Sequence, residues 1–354
     1  MIVLGSTGSI GVNALNIAKR FNIDIEVLAA GENIDLLNSQ IELFSPKRVV
    51  IKNKEDISKI NHDNVLWGEE GIIEALIESE SSLVVNALVG FLGLRPTLEA
   101  IGLDKKVALA NKESLVVAGS FIDTSKIVPI DSEHFGLWYL LQDREIDRMI
   151  ITASGGAFRD TPLELIANMT PKEALNHPNW KMGKKITIDS STMTNKLFEL
   201  LEARWLFGEG EYDAIIETKS IIHALIDFKD GSTTAHIANA DMKLPISYAI
   251  LDRVDERIVE HVDLVKLGSL EFKEIKEDRY PIWSIKDDIL KRPFMGVVVN
   301  AANEVAVNKF LENRISFSDI SKITLNAYEK FSDITLRDIK DIFEIDKEVR
   351  RFCE

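Results

Sequence analysis

Residues 1–11 read MIVLGSTGSIG, an apolar run followed by a glycine-rich loop that leads into a helical pattern. Glycines permit a tight turn, and the N-terminus of the following helix offers N–H groups and a positive dipole end to a phosphate. The spacing is GxxGxxG rather than GxGxxG, and similar loops also occur for packing alone. Because this loop follows a first strand and opens a helix, we predict that it binds a dinucleotide.

The second part of the predicted dinucleotide site is the turn "AGEN", which ends the second predicted strand. In such folds this turn contacts the ribose of the adenosine half, and Gly31, Glu32 and Asn33 are the candidates. The alternative is a polar turn without a ligand. The contacts predicted in the loop itself are Gly5, Ser6, Thr7, Gly8, Ser9 and Ile10.

Composition limits the class of protein. The chain has 354 residues, more than one hydrophobic core usually organises, so we expect two or three domains. Its formal net charge of -15 disfavours a broad nucleic-acid surface. No apolar run approaches the roughly 20 residues that span a bilayer, and a single cysteine, Cys353, excludes a disulfide framework. We therefore expect a cytoplasmic protein with neither nucleic-acid nor membrane partners.

Short strand patterns alternate with helical patterns through the first third of the chain, which is typical of an α/β fold with a doubly wound, Rossmann-like parallel sheet. A middle α+β region follows, with "RMIITASGG" and "TIDSS" expected as strands and antiparallel pairing expected over 215–238. The last part is predicted to be a small helical domain. The expected division is a dinucleotide-binding domain 1–130, a catalytic domain 131–257, a linker 258–278 and a helical domain 279–354.

Two carboxylates in "IVPIDSEHFG", Asp131 and Glu133, lie two residues apart at the predicted end of a strand. Strand ends are where α/β enzymes place ligands, and a hard divalent cation relieves the repulsion between converging carboxylates. A solvated acidic turn is the alternative. A metal site would require a third carboxylate from elsewhere in the chain.

Residues 177–207 combine a histidine, a tryptophan, lysines and a run of Ser, Thr and Asn. We expect the hydroxyl and amide groups to begin a helix and, together with Lys196, to hold a phosphate monoester. Glu199 and Glu202 follow at helical spacing on the same face as Lys196. Helix capping and solvated charges are the alternatives. The polar candidates are Ser190, Ser191, Thr192 and Asn195, with Ser154 after an earlier strand.

Several of these stretches, in this order along nearly the whole chain, resemble the 1-deoxy-D-xylulose 5-phosphate reductoisomerase family. The most specific are "VPIDSEH" and "HPNWKMGKKITIDSSTMTNK"; "LGSTGSIG", "ALANKESLV", "ASGGAFRDTPLE", "DRYP" and "NAANEVAV" accompany them. The resemblance implies conversion of 1-deoxy-D-xylulose 5-phosphate to 2-C-methyl-D-erythritol 4-phosphate in isoprenoid precursor synthesis. It also implies NADPH, Mg²⁺ or Mn²⁺ and a homodimer.

The resemblance also implies roles for individual residues. The metal ligands would be Asp131, Glu133 and Glu199, and the catalytic residues Lys112, Glu133 and Glu202. Trp180 and Met182 would belong to a mobile loop that closes over the substrate. The implied substrate-binding residues are Ser132, Ser154, His177, Trp180, Ser190, Asn195 and Lys196, and the further cofactor contacts are Asn111, Met182 and Gly183.

The sequence departs from the family pattern in two places. Glu32 stands where many relatives carry a basic residue, and a carboxylate there should repel the 2′-phosphate of NADPH. The segment 217–224 reads ETKSIIHA where relatives often read HPQSIIHS, so no role is carried onto Glu217. We expect His223 to be a structural or interface residue.

Two other classes of protein would explain part of the sequence. A metal-independent dehydrogenase would use the glycine loop but would give Asp131, Glu133 and Glu199 no task. A non-enzymatic dinucleotide sensor would need neither a phosphate site nor the Trp180 loop. Metal-dependent oxidation of NADPH with the sugar phosphate separates all three classes.

Overall fold

The computed structural model describes residues 1–180, 182–251 and 253–354. These residues form two compact units, each assembled from separate stretches of the chain. The first unit consists of Met1–Ser114, Ile122–Ser132 and Asp241–Glu260, and the second of Leu115–Phe121, Glu133–Ala240 and His261–Glu354. The division into three domains and a linker stays a prediction.

The strands alternate with helices in the first unit and are fewer toward the end of the chain. The strands are β1 Ile2–Leu4, β2 Val27–Ala30, β3 Arg48–Ile51, β4 Val65–Trp67, β5 Leu83–Asn86, β6 Lys106–Leu109, β7 Ile127–Pro129, β8 Ile146–Ala153, β9 Tyr212–Glu217, β10 Ile222–Phe228, β11 Thr233–Ile237 and β12 Phe272–Lys273. The α-helices are α1 Ser9–Arg20, α2 Ile34–Phe44, α3 Gly68–Glu78, α4 Leu94–Gly102, α5 Lys112–Ala118, α6 Ser132–Leu140, α7 Leu163–Ile166, α8 Pro171–Ala174, α9 Lys184–Thr192, α10 Thr194–Phe207, α11 Lys243–Leu251, α12 Leu264–Leu267, α13 Lys286–Lys291, α14 Gly296–Leu311, α15 Phe317–Lys330 and α16 Ile339–Cys353.

The sheet of the first unit confirms the predicted α/β class. Among the described residues it has seven strands in the order β4-β3-β2-β1-β5-β6-β7. Every neighbouring pair is parallel. Because β1 pairs with β2 on one side and with β5 on the other, the strand order reverses at β1. The glycine loop leaves β1 at this point, where doubly wound folds bind ligands.

The core of the first unit explains why helix α11 belongs to it. Strand residues such as Val3 and Leu28 are fully buried, as expected for a sheet covered on both faces. Ile246 and Ala249 of α11 lie in the same apolar cluster, far along the chain from these strands. Because the apolar face of α11 is buried in this cluster, residues 241–260 belong to the first unit.

The second unit contains a mixed sheet. In the described part of the chain it has five strands, ordered β11-β10-β8-β9-β12. Strands β8 and β9 are parallel, whereas β10 is antiparallel to both β8 and β11. The antiparallel pairing expected over 215–238 is therefore present between β10 and β11. Helices α14, α15 and α16 follow in the last part of the chain, as predicted.

The prediction of a strand at "TIDSS" was wrong, because these residues lie in α9. The hydroxyls of Thr187 and Ser191 donate to the carbonyls of Gly183 (2.8 Å) and Thr187 (3.1 Å), so the helix itself satisfies these polar side chains. The polar run also does not begin one helix. It ends α9, and α10 begins after Met193, whose φ of 71° breaks the helix.

One further position differs from the expectation. Asp131 follows β7, but Glu133 lies in the first turn of α6 rather than on the strand. The two carboxylates are thus presented by the strand end and by the helix that follows it. None of the helices in the described residues has the length and apolarity needed to cross a membrane.

Candidate active site

The glycine loop has the steric properties of a phosphate cradle. Gly5 has a φ of +84°, and a Cβ atom there would lie 2.5 Å from the Ala87 carbonyl oxygen. A Cβ atom on Gly11 would lie 2.3 Å from the carbonyl oxygen of Gly5. Gly8 and Ser9, where α1 begins, are exposed. The loop therefore excludes side chains and leaves the N-terminus of α1 open to an anion, which fits a dinucleotide phosphate.

The turn after β2 is exposed and carries an ion pair. Lys52, which follows β3, donates to Glu32 Oε1 across 2.7 Å. This hydrogen bond and the Lys52 charge hold the pKa of Glu32 below its usual value. Asn33 caps α2 by accepting the Leu36 N–H at 3.2 Å, and a Cβ atom on Gly31 would meet nothing within 4 Å. The turn is therefore not dominated by an uncompensated negative charge.

The side chains of Asn111 and Lys112 form hydrogen bonds within the first unit. The Asn111 amide nitrogen donates to the carbonyls of Leu88 (2.9 Å) and Gly90 (2.8 Å) and thereby holds the loop after β5. Lys112 donates to Asp131 Oδ2 at 3.2 Å. The Asn111 side chain is thus used in the loop, and its main-chain N–H donates to the Asn86 carbonyl oxygen at 3.2 Å.

Three carboxylates form the strongest candidate metal site. Asp131, Glu133 and Glu199 each offer an oxygen atom, and these atoms lie within 4.8 Å of one another. The exposed fractions of their side chains are 17%, 12% and 1%, so the charges are largely removed from water. Lys196 donates to Glu199 and lies 3.6 Å from Glu133, and Asn195 donates to Glu199 as well. An oxygen-only donor set of this kind fits Mg²⁺ or Mn²⁺.

A separate cluster gathers three of the side chains predicted to bind phosphate. The Nε2 atom of His177 lies 2.8 Å from Ser154 Oγ and 3.2 Å from Ser190 Oγ. The Gly156 N–H donates to Ser154 Oγ at 3.1 Å, and a Cβ atom on Gly156 would lie 2.5 Å from Ser191 Cα. The glycine thus lets the loop after β8 approach α9, which brings the two serines and the histidine together.

The hydrogen bonds of His177 determine its tautomer. Its Nδ1 atom accepts the N–H groups of Asn179 (3.2 Å) and Trp180 (2.9 Å), so in the neutral ring the proton lies on Nε2 and points toward the serines. Burial, with the charges of Arg159 and Lys196, lowers the pKa of His177 to about 4. At neutral pH the cluster therefore offers a neutral donor to an anion.

Of the remaining predicted residues, Ser132 and Glu202 are close in sequence to the carboxylates of the candidate metal site. Ser132 is buried at the start of α6, and the Glu202 Oε2 atom lies 3.8 Å from His134 Nδ1. Met182 precedes Gly183, the exposed N-cap residue of α9. Asn195 and Lys196 lie beside the carboxylates through their bonds to Glu199.

Two side chains at the site received no functional role from the sequence. His223 Nδ1 lies 3.4 Å from Glu133 Oε1, and its ring meets the Trp180 ring edge-on with centroids 6.2 Å apart. Arg159 donates to the carbonyl of Ser154 at 2.9 Å. The conspicuous motif "ASGGAFRD" contains this arginine, but nothing in the motif shows where its side chain goes. Only the three-dimensional structure shows that the Arg159 side chain bonds back to the loop that contains it.

The comparisons with known proteins agree with this geometry. Family models described as 1-deoxy-D-xylulose 5-phosphate reductoisomerase match residues 1–119 and, as its C-terminal domain, 127–207. A third model, described as the DXP reductoisomerase C-terminal domain, matches 237–352. The reductoisomerase of Nautilia profundicola is 58% identical over 362 residues, with 100% of this chain and 99% of the relative covered. That of Wolinella succinogenes is 54% identical over 356 residues, with the same coverage.

Solved structures of the same family share the fold. The Zymomonas mobilis reductoisomerase in complex with NADPH is 33% identical, with a TM-score of 0.89 over 99% of this chain and 97% of that one. A reductoisomerase in complex with NADPH, fosmidomycin and magnesium is also 33% identical, with a TM-score of 0.89 and coverage of 99% and 96%. The sequence, the fold and the carboxylate group lead to one conclusion: this chain belongs to the 1-deoxy-D-xylulose 5-phosphate reductoisomerase family.

Proposed function

We propose that this protein converts 1-deoxy-D-xylulose 5-phosphate to 2-C-methyl-D-erythritol 4-phosphate, a step of isoprenoid precursor synthesis, with NADPH and a divalent metal ion. The carboxylate group Asp131, Glu133 and Glu199 is the observation that carries the proposal. A metal-independent dehydrogenase and a dinucleotide sensor would have no use for three largely buried carboxylates whose oxygen atoms lie within 4.8 Å of one another. The family's reaction rearranges the carbon skeleton to an aldehyde and then reduces it, which requires both an electrophile and a hydride donor.

The phosphate of the substrate is assigned to the cluster of Ser154, Ser190 and His177. These side chains supply neutral hydrogen-bond donors, and the Nδ1 bonds of His177 keep its Nε2–H directed at the ligand. Lys196 lies close enough to lower the pKa of His177, so its charge also acts at this site. Charge-assisted bonds of this kind hold phosphate firmly.

The metal ion is assigned to Asp131, Glu133 and Glu199. When bound, the ion supplies a Lewis acid and template for substrate oxygens, and NADPH supplies the hydride. Lys112 and Lys196 hold the carboxylates by hydrogen bonds and offset their charge. Ser132 and Glu202 are the further residues proposed to act near the substrate oxygens.

The dinucleotide is assigned to the first unit. The backbone N–H groups at the start of α1 would bind its pyrophosphate, which the loop Gly5–Ile10 would surround. The turn with Gly31 and Asn33, together with Asn111, would contact its other parts. Met182 and Gly183 are the further residues proposed to contact the cofactor, and Trp180 is proposed to cover the substrate and exclude water.

A homodimer and a cytoplasmic location complete the proposal. Trp138 and Tyr139 on α6 are about half exposed, and Ile237 on the edge strand β11 is also exposed. Exposed aromatic residues beside an open sheet edge are typical of an interface with a second copy. The thiol of Cys353 is free, which suits a reducing compartment. Sedimentation of the native protein and of Trp138→Glu tests the dimer, since the substitution should yield monomers.

The reaction itself is tested by following NADPH oxidation with 1-deoxy-D-xylulose 5-phosphate, with and without Mg²⁺ or Mn²⁺, and by identifying the product by NMR. We expect consumption of NADPH only when sugar phosphate and metal are both present. Oxidation that persists in a chelator would favour a metal-independent dehydrogenase. Binding of NADPH without turnover under any condition would favour the sensor.

A further inference from the structure

Glu217 occupies a position to which the family resemblance assigns no role. It is the last residue of β9 and is fully buried. Its carboxylate accepts the backbone N–H groups of Lys219 (2.8 Å), Ile221 (2.7 Å) and Ile222 (3.2 Å). A buried carboxylate is tolerated only when it is hydrogen-bonded, and bonds to a charged acceptor are stronger than neutral ones. The side chain therefore fixes the turn between β9 and β10, which we call the 217–222 turn.

The 217–222 turn has an unusual backbone that needs such support. Ser220 has a φ of 55°, in the left-handed region that costs energy for a residue other than glycine. On the outer side of the turn, Lys219 donates to the carbonyls of Leu267 (3.0 Å) and Ser269 (2.6 Å). The Glu217 carboxylate holds the inner side, so the turn is fixed from both directions.

The carbonyl oxygen of Thr218 in this turn accepts from two side chains. Arg159 Nη1 donates to it at 3.0 Å, and Asn179 Nδ2 donates to it at 3.1 Å. Asn179 Nδ2 also donates to Ser220 Oγ at 2.8 Å. One main-chain oxygen, held in place by Glu217, thus joins the loop after β8 to the segment before α9.

Arg159 and Asn179 are each also hydrogen-bonded to a residue of the phosphate cluster, which consists of Ser154, Ser190 and His177. Arg159 also donates to the carbonyl of Ser154, and its side chain packs so closely on Gly155 that a Cβ atom there would lie 2.7 Å from it. The N–H of Asn179 donates to Nδ1 of His177, as does that of the next residue, Trp180. The 217–222 turn is therefore linked to Ser154 through Arg159 and to His177 through Asn179, with one intervening residue in each case.

We infer that Glu217 is a positioning residue for phosphate binding: by fixing the Thr218 carbonyl it sets Arg159 and Asn179, and through them Ser154, His177 and Trp180. It contacts no substrate itself. This inference rests on the proposed function, because it assumes that the cluster binds the phosphate of the substrate. Small displacements of binding groups weaken a ligand strongly, which gives a buried turn this influence.

The test compares Glu217→Ala and Glu217→Gln with a matched control. Asp230 also closes a turn with its carboxylate, accepting the N–H (2.9 Å) and hydroxyl (2.7 Å) of Ser232 between β10 and β11. We expect Glu217→Ala to raise the KM for the sugar phosphate and the Kd for the phosphonate fosmidomycin by at least about tenfold. Its Kd for NADPH should not change. Glu217→Gln keeps one oxygen acceptor, so its KM and Kd should lie between those of the native protein and those of Glu217→Ala. Asp230→Ala should have the same KM and Kd as the native protein.

A second variant protects the test against misfolding. Asn179→Ala removes the link from the exposed Asn179 side chain to the turn without opening the interior, and it should raise the same KM. Native phosphonate affinity in folded Glu217→Ala and in Asn179→Ala would overturn the inference. If the native protein shows no turnover, the proposed function fails instead. The positioning role is then decided by whether inorganic phosphate shifts the His177 NMR resonance in the native protein but not in the variants.

Discussion

Lys52 donates a 2.7 Å hydrogen bond to Glu32, and so a cation from the end of β3 lies against the acid that follows β2. Glu32 stands where a basic residue was expected for the 2′-phosphate of NADPH. Both side chains are exposed, with 59% of Lys52 and 74% of Glu32 accessible to solvent. The lysine therefore offsets the repulsion, and its flexible chain is free to turn to a phosphate on the same surface.

We predict that the protein prefers NADPH to NADH, by a smaller margin than relatives with a basic residue at position 32. Lys52→Ala should weaken NADPH by about threefold to fivefold, the scale of an exposed ion pair, without affecting NADH. Glu32→Gln should lower the Kd for NADPH. Calorimetric titration with both dinucleotides measures this, and Lys54→Ala, whose ammonium lies over the Trp67 ring, serves as the control. Tighter binding of NADH by the native protein would contradict the prediction.

Lys196 is predicted to serve both the phosphate and the carboxylates. Removing it in Lys196→Ala should weaken the sugar phosphate and fosmidomycin by at least about tenfold, since a hydrogen bond to a charged group contributes roughly 1.5 to 3 kcal/mol. NADPH binding should not change. Isothermal titration with fosmidomycin provides the measurement, and Lys229→Ala, which removes an exposed ion pair with Asp147, is the control. Unchanged fosmidomycin affinity would place the phosphate elsewhere.

Glu199→Gln is expected to lower turnover by at least about a hundredfold, equivalent to roughly 2.7 kcal/mol of transition-state stabilisation. The change keeps the size of the side chain and removes the charge that a divalent cation requires. Excess Mn²⁺ should restore part of the rate if the loss lies in metal affinity. The exposed Glu209→Gln, near the end of the same helix, should retain full activity. Full activity of Glu199→Gln in a chelator would remove the metal role.

The pKa of His177, lowered to about 4 mainly by burial, gives a prediction on pH. Because the folded pKa lies below the unfolded value of about 6.5, the neutral ring favours the folded state. This contribution is complete above about pH 6.5 and is lost as the pH falls toward 4. The Cε1–H resonance of His177, assigned with His177→Gln, should not titrate between about pH 5.5 and 8. A midpoint near the ordinary value would show that the ring is solvated.

Much of the fold was predictable because its signals are local. The apolar runs of β1, β2, β3, β5, β6 and β7 and the glycine loop are read directly from consecutive residues. The short strand β4 was not predicted, and "TIDSS" was assigned to a strand although it forms part of α9. The hydroxyls of Thr187 and Ser191 bond to carbonyls one helical turn earlier, and the residue types alone do not reveal these bonds.

The sequence by itself determined the α/β class, the family and the residue types of the candidate site. Motifs such as "VPIDSEH" contain the carboxylates that the site uses. Only the tertiary structure decided the partners of those residues. Lys52 meets Glu32 because β2 and β3 are neighbours in the sheet. Glu217 stabilises the turn between β9 and β10 because its buried carboxylate accepts the N–H groups of that turn. Hydrogen bonds and ion pairs depend on distance and burial in space, and these are set by the packing of elements far apart in the chain.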